Sequence, residues 1–358
     1  LPICFLTPTM RKVVIEAGIT TPTGLVFNDW DANDVVSTLS LTLEGGVELN
    51  GNLSIPTRTD KTADTEPLYF SQLTLISSGT QPNVIDGNIS TATVLGGLNT
   101  SENNLVSVAI NGTQALTING DITFNKVGNN AVGGGDDATA VLNVNSSAAV
   151  TMRAVNTTDD DVTGLTVNNT GAGTLSLTVD AAKIDAADAL TFTGDNIALT
   201  VNGSVDLSND NLAGVNSIVI SDSSTLTVTQ AQFDALGAAN FGTDGSPVAV
   251  NIVITEFGAA PFDATDLAAG INVQSIVLAA SPAVITLDPA TNLTDVDQIV
   301  VPEGSTLRLT AAQYQQLQGS GTIIGADGAD AGSTIGAFNV EIYDVRQANV
   351  AVDADNDG

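Results

Sequence analysis

The last six residues, Asp353-Ala354-Asp355-Asn356-Asp357-Gly358, place carboxylates at alternate positions ahead of a glycine. This is the opening of a D-x-[DN]-x-[DN]-G loop, in which alternate side chains converge on one hard cation and glycine permits the sharp turn. Asp353, Asp355 and Asp357 are therefore candidate Ca2+ ligands, with an acidic linker as the competing reading. The closing acidic ligand would fall beyond Gly358, so the end reads as cut; the start at Leu1 equally reads as processed or shortened. Asp29, Asp31 and Asn33 repeat the alternate spacing. There Asp34 stands where glycine is wanted and Ser40 where the twelfth ligand is wanted, so a solvated loop competes with a second calcium site. Between the first two of these ligands sits Trp30, the single tryptophan, which reads as an anchor for the following β region. Asp136-Asp137 and Asp159-Asp160-Asp161 read as exposed loops. Their self-repulsion becomes useful only at an ion-bridged contact.

Most other chemistry is removed by residue type. The chain has no histidine and one cysteine, Cys4. Ser-His-Asp and Cys-His nucleophilic sites are excluded, and so are zinc sites built on His or paired Cys. Gly133-Gly134-Gly135 lacks the Lys-Ser/Thr and the helix of a phosphate loop. Paired carboxylates for glycoside cleavage need only spatial proximity, but sugar sites commonly add aromatic platforms, and only 4% of residues are aromatic. The expectation is a protein that is not an enzyme, with no catalytic residues.

Charge narrows the partners. Forty acids face nine bases, a net charge of -31, and only Arg11-Lys12 are adjacent bases. Nucleic-acid binding and anionic membrane binding both need clustered Lys and Arg. No run of 18 apolar residues exists, so no membrane insertion is expected. Yet 43% of residues are hydrophobic and the mean hydropathy is +0.23, which separates this chain from a disordered acidic tail. Acidity of this size keeps a secreted protein soluble and attracts divalent cations. A lone cysteine forms no intrachain disulfide, which in an exported protein of this length points to bacteria or archaea. Nine Asn-x-Ser/Thr sequons, including Asn52, Asn88, Asn111 and Asn202, match the count that an Asn/Ser/Thr-rich chain reaches by chance.

The elements that must carry these residues are strands. From about residue 35, Val, Leu and Ile alternate with Ser, Thr and Asn, punctuated by Gly, Asn and Asp. A local motif recurs at 49–54 (LNGNLS), 85–90 (IDGNIS), 118–123 (INGDIT) and 201–206 (VNGSVD). Asn-Gly commonly marks a two-residue hairpin. Here a hairpin would pair Ile118 with Asp121, whereas a chain running straight through keeps Leu116, Ile118, Gly120, Ile122 and Phe124 on one side. The phase therefore favours a bend or bulge with glycine facing inward; a three-residue hairpin would also match the faces, but it prefers glycine third and here glycine is second.

A longer repeat joins 205–236 to 285–317. Each copy has an apolar strand (Ile218–Ile220; Ile299–Val301), a polar turn, a second strand (Leu226 and Val228; Leu307 and Leu309) and a short helix. Thr229 and Thr310 are placed as N-caps with Gln232 and Gln313 three residues on, the capping-box spacing. Phe233 with Leu236, and Tyr314 with Leu317, should then face the strands.

The predicted fold class is all-β: a repeat β architecture, β-solenoid or β-helix-like, with a few short capping helices, and tandem β-sandwiches as the alternative. Residues 1–30 read as an N-terminal arm or exchanged strand, with Pro2, Pro8 and Pro22 forbidding a long helix. Residues 31–190 form a β-repeat region, 191–345 a second one with short helices, and 346–358 an acidic linker or the start of a calcium loop.

Over residues 190–345 the pattern of strand, polar turn, Leu-Thr-x-Thr and then A-Q-[FY]-x-x-L resembles repeats of large secreted bacterial proteins. These are surface-layer proteins, haemolysin-type (RTX-like) calcium-binding proteins and adhesin-type repeat proteins. The resemblance implies calcium-dependent assembly at the cell surface. The chain departs from the RTX pattern in lacking a full Gly-Gly-x-Gly-x-Asp nonapeptide run. The expected function is a self-assembling extracellular structural protein, a surface-layer, sheath or filament subunit on a bacterial or archaeal cell, with calcium assisting. Its partners would be copies of itself as a homopolymer, with cell-surface polysaccharide as a second candidate. The alternatives are a stalk segment of a repeat adhesin and a carbohydrate-active β-helix enzyme.

Overall fold

The computed structural model describes residues 4–5, 12–21, 25–28, 36–55, 70–91, 105–124, 138–158, 162–184, 189–245, 250–258, 260–263, 267–280, 284–320, 322–325 and 338–343. The protein is mostly β, and every strand pair described is parallel. Two α-helices occur among the described residues, neither long and apolar enough to cross a membrane. The chain forms two compact units, Leu1–Val205 with Asn209–Ile218 and Asp206–Ser208 with Val219–Gly358.

In the first unit the chain alternates between two parallel sheets. One face is built from Lys12–Ile15, Val36–Leu43, Phe70–Ser77, Leu105–Gly112, Ala138–Ser146, Val162–Asn169 and Ala189–Gly194, in that order across the sheet. The other face takes the intervening strands, among them Leu53–Ile55, Ile89–Thr91, Leu116–Thr123, Val150–Asn156, Leu175–Asp180 and Ile197–Asn202. Residues 12–15 pair with 40–43 of the same chain, and Thr20-Thr21 with Glu48-Leu49.

Alternation of apolar and small polar residues makes each strand half-buried. Residues 175–180 show it plainly: Leu175, Leu177 and Val179 are buried, while Ser176, Thr178 and Asp180 between them are not. Registration then stacks like on like. Leu39, Leu73, Val108, Leu142, Val167 and Phe192 form one continuous column, each at most 1% exposed. On the second face Ile118, Met152, Leu177 and Leu199 form another buried column, each at most 3% exposed. Early circuits are longer than late ones. Side-chain hydrogen bonds from one circuit to the next span 36 and 33 residues at Asn52–Asn88 and Asn88–Asp121, but 25 at Asn143–Asn168. Residues 56–69, 92–104 and 125–137 lie outside the described residues.

The corners between faces bury backbone that the ladders do not reach, so side chains must satisfy it. Asn83, fully buried, accepts from the amides of Gly45 and Val47, both at 3.0 Å. Its Nδ2 donates to Ser77 Oγ at 2.9 Å and to the Leu43 carbonyl at 3.3 Å. Asn169 plays a similar part later in the unit, donating to the carbonyls of Gly173 (3.0 Å) and Asp195 (2.6 Å).

In the second unit Thr225–Thr229, Val250–Phe257, Ile271–Leu278, Gln298–Val301 and Thr322–Gly325 form one parallel sheet. Val284–Thr286, Thr306–Thr310 and Asn339–Tyr343 form another. Helix α1 (Gln230–Leu236) and helix α2 (Ala311–Ser320) each continue directly from a strand. Both expected capping boxes form. Thr229 Oγ1 accepts from the Gln232 amide at 3.1 Å while Gln232 Oε1 accepts from the Thr229 amide at 2.7 Å. The Thr310–Gln313 pair repeats this at 3.2 and 2.9 Å. Phe233, Leu236 and Leu317 are buried, and Tyr314 is half-buried.

Candidate functional site: stacked polar columns and an uncharged sheet face

The recurring Asn-Gly motif is where the polar chemistry of the first unit gathers. Its chain runs straight through: Leu49 pairs with Ile85 before the glycine and Leu53 with Ile89 after it, both in parallel. Leu116, Ile118, Gly120, Ile122 and Phe124 all point inward. The glycines let neighbouring circuits touch backbone to backbone. A Cβ on Gly87 would lie 2.1 Å from the Gly51 carbonyl carbon, and one on Gly120 would lie 2.3 Å from that of Gly87.

Polar columns flank the stacked glycines. The Asn88 amide donates to Asn52 Oδ1 at 3.0 Å, and the Asp121 amide to Asn88 Oδ1 at 2.9 Å. In the column alongside, Asn119 Nδ2 donates to Asp86 Oδ1 at 2.5 Å. With its amide turned to donate, Asn50 reaches Asp86 Oδ2 at 2.8 Å and Glu48 Oε1 at 3.1 Å. At the end of the first column the Asp121 carboxylate, only 11% exposed, meets Lys183 Nζ at 3.1 Å and Arg153 Nε at 4.0 Å. Burial of an acid is offset here by bringing two bases from later circuits to one carboxylate.

The two faces differ outside. Val36–Leu43, Phe70–Ser77, Leu105–Gly112, Ala138–Ser146, Val162–Asn169 and Ala189–Gly194 contain no Asp, Glu, Lys or Arg at all. Their outward positions stack as Ser40, Thr74, Ala109, Asn143, Asn168 and Thr193 in one column. Parallel columns carry Gln72, Ser107, Val141, Thr166 and Thr191 on one side and Ile76, Asn111 and Asn145 on the other. Within the central column Asn168 Nδ2 donates to Asn143 Oδ1 (3.5 Å), and Thr193 Oγ1 to Asn168 Oδ1 (3.3 Å). The opposite face is charged: Glu48, Arg153 and Asp180 sit outward on its strands. The uncharged face was missed in reading the sequence, although the signal was there, in strands without charge from a chain with 40 acids.

In the second unit, glutamines take the binding role. Gln313, 2% exposed, donates to the carbonyls of Asp288 (2.7 Å) and Thr291 (3.1 Å). Gln230 accepts from the Gly258 amide at 2.8 Å and donates to the Ala260 carbonyl at 3.3 Å. Phe233 stacks on Phe241 (centroids 5.0 Å apart, planes at 16°) and tilts against Phe262, which meets Phe257 edge-on at 5.5 Å. Arg308 Nε and Glu341 Oε2, at 2.6 Å, join registered strands. Among the described residues, two groups titrate away from their ordinary values. Partial burial on α1 raises the Asp234 carboxyl. Burial, then the nearby Asp288 carboxylate, raise the Tyr343 hydroxyl against the opposing pull of Arg308. That hydroxyl donates to the Leu287 carbonyl at 2.9 Å, which makes it a tie between circuits.

The candidate calcium ligands Asp353, Asp355 and Asp357 lie outside the described residues, as do Asp29, Asp31 and Asn33. Trp30, Gly133–Gly135, Asp136-Asp137 and Asp159–Asp161 do too. Among the described residues no group of three or more His, Cys, Asp or Glu is placed to hold a metal ion. The hydrogen bonds of Asn52, Asn88, Gln230 and Gln313 run from one circuit to the next. No family model, no curated protein and no solved structure matches the chain.

Proposed function

We propose that this chain is a self-assembling extracellular structural protein, a surface-layer, sheath or filament subunit of a bacterial or archaeal cell. In this reading the stacked circuits are coils of a β-solenoid with short capping helices. One observation carries it: side chains stack in register through successive circuits, inward as apolar columns and outward as columns in which Ser, Thr and Asn predominate. Stability in such a stack grows by nearest-neighbour contacts, so the same device that extends a chain suits a scaffold. The glutamines, asparagines and Asp121 are engaged with neighbouring circuits, which supports a framework role over a reactive one.

Calcium assists assembly in this reading. A net charge of -31 on each copy opposes contact, and divalent cations held by acids such as Asp353, Asp355 and Asp357 or Asp29, Asp31 and Asn33 would relieve it. The partners are copies of the same chain, with cell-surface polysaccharide as the candidate anchor. Negative-stain microscopy of the purified protein with calcium, then with a chelator, tests the proposal. Ordered arrays that disperse on chelation are expected. Elongated monomers under both conditions would replace this reading with that of an adhesin stalk.

A further inference from the structure

We infer that the uncharged outer face of the first unit, centred on the column Thr74, Asn143 and Asn168, is where two copies of this chain meet. The inference rests on the assembly reading and gives it a surface. Three observations carry it.

The first is charge. Two copies each bearing -31 repel wherever acids face acids. The second face of the same unit would set Glu48, Asp86 and Asp180 of one copy against those of the other. The six strands from Val36–Leu43 to Ala189–Gly194 carry no charge, and Lys12 on the strand beside Val36–Leu43 is a base, so the described strands of this sheet set no acid against acid. Depletion of charged residues is also the compositional mark of the buried centre of protein interfaces.

The second is area. Six strands spaced about 4.8 Å apart, each about eight residues long at roughly 3.3 Å per residue, present a face of about 29 by 26 Å. Burying that patch on both copies removes about 1,500 Å² from water, within the range of roughly 1,200–2,000 Å² for specific interfaces.

The third is side-chain type. Ser, Thr, Asn, Ala and Val are short, so little rotamer freedom is lost on contact. The column is already ordered by the Asn168–Asn143 and Thr193–Asn168 hydrogen bonds. Such a patch can meet its own copy about a twofold axis, since the same donors and acceptors stand on both sides.

Charge placed on the face tests this in the full-length chain. Variant one carries Thr74→Asp with Asn168→Asp; variant two carries Thr74→Lys with Asn168→Lys; a control carries Thr151→Asp with Thr178→Asp on the opposite face. Sedimentation velocity with calcium reads association, and thermal melting confirms folding of each variant. The wild type and the control should associate, and each face variant alone should weaken association at least 100-fold. An equimolar mixture of the two face variants should associate again, because Asp on one face then meets Lys on the other. That rescue separates loss of contact from loss of fold. If both face variants associate as the wild type does, this inference falls and the assembly reading stands. If the wild type remains monomeric with calcium, or instead cosediments with an insoluble neutral polysaccharide as a monomer, both fall.

Discussion

The two units meet one physical demand in different ways. Parallel strands joined by tight corners leave amides and carbonyls that must be satisfied out of reach of the ladders. The first unit uses short side chains and bare backbone: Asn83 and Asn169 tie the corners, and Gly51, Gly87 and Gly120 let circuits touch. The second unit ends a strand in a capped helix and sends glutamines across: Gln230 to Gly258 and Ala260, Gln313 to Asp288 and Thr291. Its interior adds four clustered phenylalanines, Phe233, Phe241, Phe257 and Phe262. The first solution leaves no room for an added atom, and the second leaves room but depends on single long side chains. The lesson is that one framework of parallel strands can fail in opposite directions, by overpacking in one unit and by deletion in the other.

The sharpest break is Gly120→Val. Its Cβ would sit against the Gly87 carbonyl with no flexible neighbour to yield. A cost of about 4 kcal/mol or more is expected for overpacking of this kind. Hydrogen exchange resolved by peptide should show protection lost in 105–124 and neighbouring circuits while 250–280 keeps its protection. Equal loss in both units would erase the contrast drawn here.

Deletion of the ties ranks next. Asn83→Ala strands two buried amides, those of Gly45 and Val47, at a cost of roughly 3 kcal/mol, whereas Gln313→Ala should cost about 2 kcal/mol because its second role is only a helix cap. Denaturant melts of the two variants measure the difference. A larger loss for Gln313→Ala would show that the second unit leans on its glutamines more than the first does on its asparagines.

The smallest effect is one of pH. The folded-state pKa of Asp234 lies above its unfolded value, so the folded state binds the proton more tightly. The group therefore costs nothing below its unfolded pKa, and its small penalty develops as pH rises through the raised one. Asp234→Asn should make the stability of the second unit slightly less dependent on pH over that acid range, without moving the first unit. An unchanged pH profile in melts of the variant would remove this distinction.

Local features were legible. The inward phase of Leu116, Ile118, Gly120, Ile122 and Phe124 follows from period-two alternation. The capping boxes at Thr229 with Gln232 and Thr310 with Gln313 follow from a three-residue spacing. The ion pair of Asp121 with Lys183, the corner ties of Asn83 and the meeting of four phenylalanines were not legible. Each joins residues whose separation depends on loop length, and loop length changes between the early and late circuits.

Residue order by itself decided that this chain makes half-buried strands and that its helices are short and capped; for the Asn-Gly motif it favoured running on over turning back, and parallel registration decided it. Those outcomes depend on neighbours two to four positions apart, where backbone geometry sets the period. Which strands share a sheet, and hence that six neighbouring strands of one face of the first unit carry no charge, was decided only by tertiary registration. Alternate strands go to opposite sheets, so residues 25 to 36 positions apart become nearest neighbours, and no local period encodes that distance.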